Sequence, residues 1–175
     1  MRLGAIKEEG FSAQTVDFKK LTSGLTAEQW VTQNFNQLHP VNQWVLTELS
    51  QTTQTIDAAL EEFRINDAAM ALYQCTWAQV CDWYIEFSKE ILKSNSKHEA
   101  ETQITLLFVL ESTLKLAHVF IPFITEEIFQ HLPARVGVHQ GDALMLQAYP
   151  KLTFKSDAAV AKIDLLSKNK KIKVI

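Results

Sequence analysis

The side chains able to do chemistry in this sequence are few and scattered. Five histidines, His39, His98, His118, His131 and His139, share no common spacing. His118 falls in an apolar run and reads as a satisfied core or helix-end imidazole rather than a general base. Asp82 and Glu86 stand at i, i+4, which on a helix puts both carboxylates on one face, able to hold a cation. Lys89 and Lys93 follow on the next turns, so a surface charge network is favoured there. Glu126 and Glu127 are adjacent, point in different directions on a helix, and read as dipole partners rather than an acid/base pair. Cys75 and Cys81 lie ~240° apart around a helix axis and cannot bridge. With no CxxC and no Cys/His cluster, zinc is not expected. GxxxxGK[ST], GxGxxG, GxSxG and HExxH are all absent. No catalytic residue, nucleotide loop or metal set is therefore expected in this chain.

What remains is an aromatic set. Tyr73, Trp77, Trp83 and Tyr84 crowd one segment, with Arg64, Lys89 and Lys93 at its flanks. Aromatic rings beside cations are how proteins hold unstacked bases, each stack contributing ~1–3 kcal/mol. The competing reading is an ordinary helical core with lysines snorkelling past it. Large aromatics at helical spacing favour that second reading for Trp77 and Trp83.

The elements that must position these groups are helices. The chain has 175 residues, 47% hydrophobic and 21% charged, with only five Gly and four Pro. That is too few turn residues for a sandwich or barrel of short strands. Thr26-Ala27-Glu28-Gln29 fits a capping box for a short helix through Trp30, Val31 and Phe35, which His39-Pro40 interrupts. Val41, Val45, Leu49, Ile56, Leu60 and Phe63 form one apolar stripe and predict a helix over Val41–Phe63. Arg64-Ile65-Asn66 makes a corner, with Asn66 as N-cap and Asp67 at the positive end of the next helix. That helix runs from Asp67 to Lys93 on the stripe Ala69, Leu72, Thr76, Val80, Trp83, Phe87 and Ile91. Tyr73, Trp77 and Tyr84 widen the apolar face, so it is expected to be the central helix. After Ser94-Asn95-Ser96, a third helix from Glu99 to Phe120 is apolar nearly all round and ends at Pro122. Thr125 is expected to cap a fourth, short helix that stops at Leu132-Pro133. A turn-rich segment over 136–142 and an extended run over 144–150 follow, and Ser156 is placed to cap a last helix through Ala159 and Leu166.

The expected fold is thus all-α, an antiparallel helix bundle with a short extended or turn segment after it. Residues 1–40 read as an atypical N-terminal segment, 41–150 as the bundle, and 151–175 as a Lys-rich tail, partly ordered. The net charge of −3 excludes a uniformly basic nucleic-acid binder. It conceals an asymmetry. Residues 151–175 hold seven Lys and two Asp, a charge of +5, while 1–150 hold eighteen acidic and ten basic residues, −8. The tail is either a solvated terminus or a phosphate-contacting one. No apolar h-region follows Met1, no apolar stretch reaches the ~18 residues that span a bilayer, and two free thiols suit a reducing compartment. A cytoplasmic protein is expected.

Three segments carry a family resemblance. They are Asn42-Gln43-Trp44-Val45-Leu46-Thr47-Glu48-Leu49; then Phe63-Arg64-Ile65-Asn66-Asp67-Ala68-Ala69 with Ala71-Leu72-Tyr73 and Cys81-Asp82-Trp83-Tyr84-Ile85-Glu86; and His118-Val119-Phe120-Ile121-Pro122-Phe123-Ile124-Thr125-Glu126-Glu127-Ile128. Their order and spacing resemble the anticodon-binding helical domain of valyl-tRNA synthetases, over about residues 40–150. The PFITEEI segment is shared with leucyl and isoleucyl relatives, whereas CDWYIE is specific to the valyl branch. The HIGH-like and KMSKS-like motifs of the catalytic domain, which serve ATP and magnesium in that family, are absent. The resemblance therefore implies a non-catalytic module, with no cofactor in this chain, that binds the anticodon stem-loop of a valine tRNA. The catalytic domain of the synthetase is a second implied partner. Arg64 and Asn66 at the first corner, and Lys89, Lys93 and Lys97 at the helix end, are the candidate tRNA contacts. The alternatives are a synthetase-derived protein-interaction bundle without RNA binding, and the equivalent domain of a leucyl or isoleucyl enzyme.

Overall fold

A computed structural model describes residues 18–93, 97–132, 142–161 and 163. The described residues form helices and turns with no strand among them: α1 (Phe18–Leu21), α2 (Ala27–Asn34), a 3₁₀ turn Phe35–Gln37, α3 (Pro40–Glu61) and α4 (Ile65–Gln74) come first. A π-helical stretch, Cys75–Tyr84, continues α4 into α5 (Ile85–Lys93). Then come α6 (Glu99–Ala117), α7 (Pro122–Gln130) and a 3₁₀ turn Leu144–Leu146. The all-α bundle expected from the apolar periodicity is the fold observed.

Local chemistry accounts for the starts of α2 and α3. The Thr26 hydroxyl accepts from Gln29 N–H and the Gln29 side chain accepts from Thr26 N–H, each at 3.1 Å, so the capping box forms as read. His39 caps α3 through Nδ1, which accepts from Val41 N–H, and Pro40 occupies the first helical position, where its missing N–H costs nothing. Two starts differ from expectation. α4 begins at Ile65 with Arg64 as N-cap, so Asn66 lies inside the first turn and caps nothing. Pro122 does not merely stop α6 but opens α7, which moves Thr125 into the helix interior. There its hydroxyl donates back to the Ile121 or Pro122 carbonyl and meets His118 Nδ1 at 2.9 Å. Glu126 and Glu127 consequently fall past the first turn and do not act on its dipole.

α3 ends in a Schellman motif. Phe63 N–H donates to Leu60 O and Arg64 N–H to Ala59 O, with Phe63 itself at φ +58. Glycine is usual at such a position, because a Cβ crowds the left-handed conformation by about 1–2 kcal/mol. The Phe63 ring gains no burial in return, being 87% exposed. It was expected to complete the α3 stripe, but the motif turns it outward. Phe63→Gly is therefore expected to raise stability by about 1 kcal/mol. The measurement is the urea midpoint; a lower midpoint would mean the ring makes a stabilising contact.

The core lies between α3 and α6. Val45, Leu46, Leu49 and Ile56 of α3 and Ile104, Phe108, Val109 and Leu116 of α6 are buried together. α6, not the α4–α5 helix, is the most enclosed, since α1 to α5 and α7 all contact it. The stripe Leu72, Val80, Trp83, Phe87 and Ile91 of the segment expected to be central does pack on the core, through the π stretch and beyond it. Tyr84 points inward with no exposure, while Tyr73 and Trp77 stay outside.

Segments on both sides of 41–150 share this core. Val31, Phe35 and Leu38 enter from one side, and Leu152, Ala159 and Ile163 from the other. The Phe154 ring sits 5.1 Å from Phe35 and 6.0 Å from Phe108. Phe154 N–H donates to Ser50 Oγ and Ser156 N–H to Thr47 Oγ1, pinning this strand-like segment to α3. Ser156 Oγ accepts from Ala159 N–H at 3.4 Å and so opens the last helical turns, residues 157–161. The turn-rich segment through Gly141, and Leu166 with the Lys-rich end, lie outside the described residues.

A buried polar network joins the three long helices. Tyr84 OH donates to Asn42 Oδ1 at 3.0 Å, and Asn42 Nδ2 donates to Thr102 Oγ1 at 3.0 Å and Glu101 Oε1 at 3.2 Å. The same Glu101 oxygen accepts His39 N–H at 2.6 Å and lies 3.1 Å from His98 Nδ1. Burial, with the Glu101 charge adding to it, pushes the Tyr84 phenol above its usual value and keeps it a donor.

Candidate nucleic-acid interface

The five residues predicted to contact tRNA occupy opposite ends of the α4–α5 helix. Arg64 and Asn66 stand at its start, and Lys89, Lys93 and Lys97 at or beyond its finish, roughly 35 Å away at ~1.5 Å per helical residue. All five are exposed. Arg64 is not an isolated cation: Nε meets Glu62 Oε2 at 2.7 Å and Nη1 meets Asp67 Oδ2 at 2.5 Å. Hydrogen bonds to Asp67 and then Glu62 push its pKa further up. Two carboxylates on one guanidinium leave this corner at −1. At the other end, Lys89 Nζ pairs with Glu86 Oε1. Of the charge network expected around Asp82, Glu86, Lys89 and Lys93, the Lys89–Glu86 pair is formed. Among the described residues, no three His, Cys, Asp or Glu side chains group as a metal site.

Between the two ends lies an exposed aromatic stack. Tyr73 and Trp77 are one turn apart, their rings parallel to within 2° with centroids 6.4 Å apart. They are 62% and 59% exposed, and Met70, one turn before Tyr73, is 56% exposed. The expectation that Trp77 anchors the core is therefore wrong. Trp83 does pack on the core, against Phe87 at 5.7 Å, and Tyr84 lies inside it. The aromatic cluster read from the sequence is split into an outer pair and an inner pair.

Between α3 and the α4–π helix runs an open groove of about 230 Å³. Glu48, Gln51, Thr52 and Thr55 line it from α3, and Ala71, Gln74, Cys75 and Gln79 from the facing helix. Cys75 lies at its buried base; burial raises its thiol pKa, opposed by a hydrogen bond from Thr52, and keeps it neutral. The groove was not anticipated. Glu48, Gln51 and Thr55 read as solvent-facing cover of α3, although 48, 51, 52 and 55 repeat at helical spacing and so mark one continuous polar edge.

A second surface is apolar. Val119, Ile121, Phe123 and Ile124 around α7, with Met145 and Leu146 on the 3₁₀ turn, are all more than half exposed. Beneath them Leu114, Phe129 and Leu144 form a small separate cluster.

Known proteins account for this architecture. The family described as the anticodon-binding domain of tRNA ligase matches residues 42–175, and the chain belongs to that family. Among individual proteins, it is similar to valine–tRNA ligases. It is 42% identical over 127 residues to that of Agrobacterium fabrum, an alignment covering 72% of this chain and 13% of the relative. It is 39% identical over 160 residues to that of Bdellovibrio bacteriovorus, covering 86% and 17%. It is 39% identical over 127 residues to that of Brucella suis, covering 72% and 14%. The resemblance seen in the CDWYIE and PFITEEI segments is thereby borne out, and so is its valyl assignment. The chain spans between 13% and 17% of the length of these relatives. No described helix is long and apolar enough to cross a membrane.

Proposed function

We propose that this domain binds the anticodon stem-loop of a valine tRNA and performs no bond-making step of its own. The observation that carries the reading is the identity to valine–tRNA ligases over 127 to 160 residues. Lys89, Lys93 and Lys97 contact phosphates and fix the position of the stem, while Arg64 and Asn66 meet the loop or its backbone. For Arg64 this requires exchanging a carboxylate partner for a phosphate. Single-stranded bases of the loop splay out and are read by stacking and on their edges.

The exposed apolar face around α7 favours a second contact, with the remaining chain of a valine–tRNA ligase. More than four fifths of each relative lies outside the aligned region, and contiguous apolar surface suits a packed neighbour.

Filter binding of a valine tRNA across a salt series is the test. The logarithm of affinity is expected to fall linearly with the logarithm of salt, by about 0.7–0.9 per phosphate contact. Lys93→Ala should reduce that slope by about 1 and weaken all tRNAs alike. A tRNA affinity indifferent to both salt and anticodon would sink the RNA reading. A stable complex with a ligase lacking this domain, and none with tRNA, would leave the protein-interaction reading in its place.

A further inference from the structure

We infer that the outer face of the α4–α5 helix is a self-association surface, on which a second copy of this chain docks antiparallel about a twofold axis. Three observations of that face carry this, none of them drawn from the RNA reading. The first is its continuity. Asn66, Met70, Tyr73 and Trp77 follow one another at steps of four, three and four, the spacing of a coiled-coil seam. Asp82 comes five residues later, the step at which a π-helix bonds back on itself. Glu86, Lys89 and Lys93 then resume at four, three and four. All eight are exposed. The π stretch thus keeps one line of side chains on the outside from the first turn of α4 to the last of α5.

The second observation is the chemistry of that line. Met70, Tyr73 and Trp77 each stand more than half exposed, and the two rings are parallel. Tyr, Trp and Met are enriched at the centre of protein contacts, whereas charged groups are pushed to the rim. Charged groups do flank this patch on both sides.

The third observation is the sign of those charges, which selects the occupant. At the corner ahead of the patch, the exposed Glu61, Glu62 and Asp67 outnumber Arg64, a balance of −2. Behind it, from Glu86 onward, the exposed Lys89, Lys93 and Lys97 outnumber Glu86 and Glu90, a balance of +1. A face with opposite ends is complementary to an identical face turned end for end. At ~1.5 Å per helical residue, the Glu61–Glu62 corner and Lys89 each lie about 20 Å from Tyr73. A twofold axis near Tyr73 therefore lays the Lys89 end of each copy over the acidic corner of the other. Parallel docking would set acidic corner on acidic corner and lysine on lysine. Lys89 and Lys93 are also the candidates for phosphate contact, so a second copy and a tRNA compete for this face.

Sedimentation equilibrium of the full chain over a concentration series is the test. The weight-average mass is expected to rise from one chain toward two. Trp77→Glu, at an exposed position, should hold it at one chain throughout, with the thermal midpoint at low concentration unchanged. Lys89→Glu should weaken self-association about tenfold, and Glu61→Lys added to it should restore the loss. Valine tRNA should return the dimer to single chains carrying RNA. A mass of one chain at every concentration overturns the inference. So does self-association that neither Trp77→Glu nor Lys89→Glu disturbs, which would place the contact on the apolar α7 face instead. A dimer that binds tRNA without dissociating overturns the competition for the face. Absence of tRNA binding would remove the RNA reading, with the sedimentation series still deciding this one.

Discussion

Replacing Asn42 with alanine is expected to destabilise the domain by about 3 kcal/mol, the largest loss from any single polar side chain here. Asn42 is fully buried, and its amide holds Tyr84 from the π stretch and both Thr102 and Glu101 from α6. Truncation leaves the Tyr84 hydroxyl without its acceptor in a place water does not reach. Each stranded buried polar group costs ~1–3 kcal/mol, far more than a surface hydrogen bond contributes. At this chain length the melting midpoint should fall by about 6–12 °C. Tyr84→Phe is the matched comparison. It removes one hydroxyl, preserves the ring volume, and should cost about 1–2 kcal/mol. Scanning calorimetry with urea titration reads both. A fall of under ~1 kcal/mol for Asn42→Ala would mean the three helices are joined without this amide.

Phe129→Ala is expected to act as strongly but locally. Its ring is fully buried in a cluster of Leu114, Phe129 and Leu144 that is separate from the main core. Large aromatic truncations cost about 3–5 kcal/mol where the cavity persists. Here the site has an easier response, because α7 can come away as a unit while α3 and α6 keep their contacts. The Thr125–His118 bond, the Glu126 carboxylate on Leu144 N–H and the Gln130 amide on the Asp142 carbonyl are polar contacts that remain to α7 and the 3₁₀ turn. Hydrogen exchange should show lost protection across α7 with the α3 and α6 amides unchanged. Uniform loss through the whole chain would mean that the two clusters unfold together.

Much of this architecture was legible in the residue pattern, and the exceptions have physical reasons. α3 was readable because its buried face repeats cleanly, and the α2 start because Thr26 and Gln29 satisfy each other's backbone. The first helical position of α7 was misread because proline both stops one helix and opens the next, and only the partner of the Thr125 hydroxyl separates the two roles. Phe63 was placed in the core because no residue type announces a left-handed conformation when glycine is missing. The aromatic cluster was misdivided because Tyr73 and Trp77 lie off the stripe that carries Leu72, Val80, Trp83, Phe87 and Ile91 onto the core, and ring size alone does not say which face of a helix a residue takes. Of the candidate site, the charged ends could be seen, since isolated lysines and arginines on a helix are solvated wherever they fall. The groove could not. Its polar edge on α3 looks like any solvent face until the facing helix closes over it.

The π stretch also fixes what the gene can tolerate. Within Cys75–Tyr84 the ladder carries more residues per turn than the helices it joins, so this segment has slack that α3 and α6 lack. Loss of a single codon there is taken up as the ladder relaxes toward α geometry, whereas the same loss within α3 or α6 turns everything downstream by ~100° about the helix axis. Trp83, Phe87 and Ile91, which pack against the core, keep their face in the first case. The ten residues are therefore the place in this helix where evolution can remove one residue and leave the surface offered by α5 where it stands.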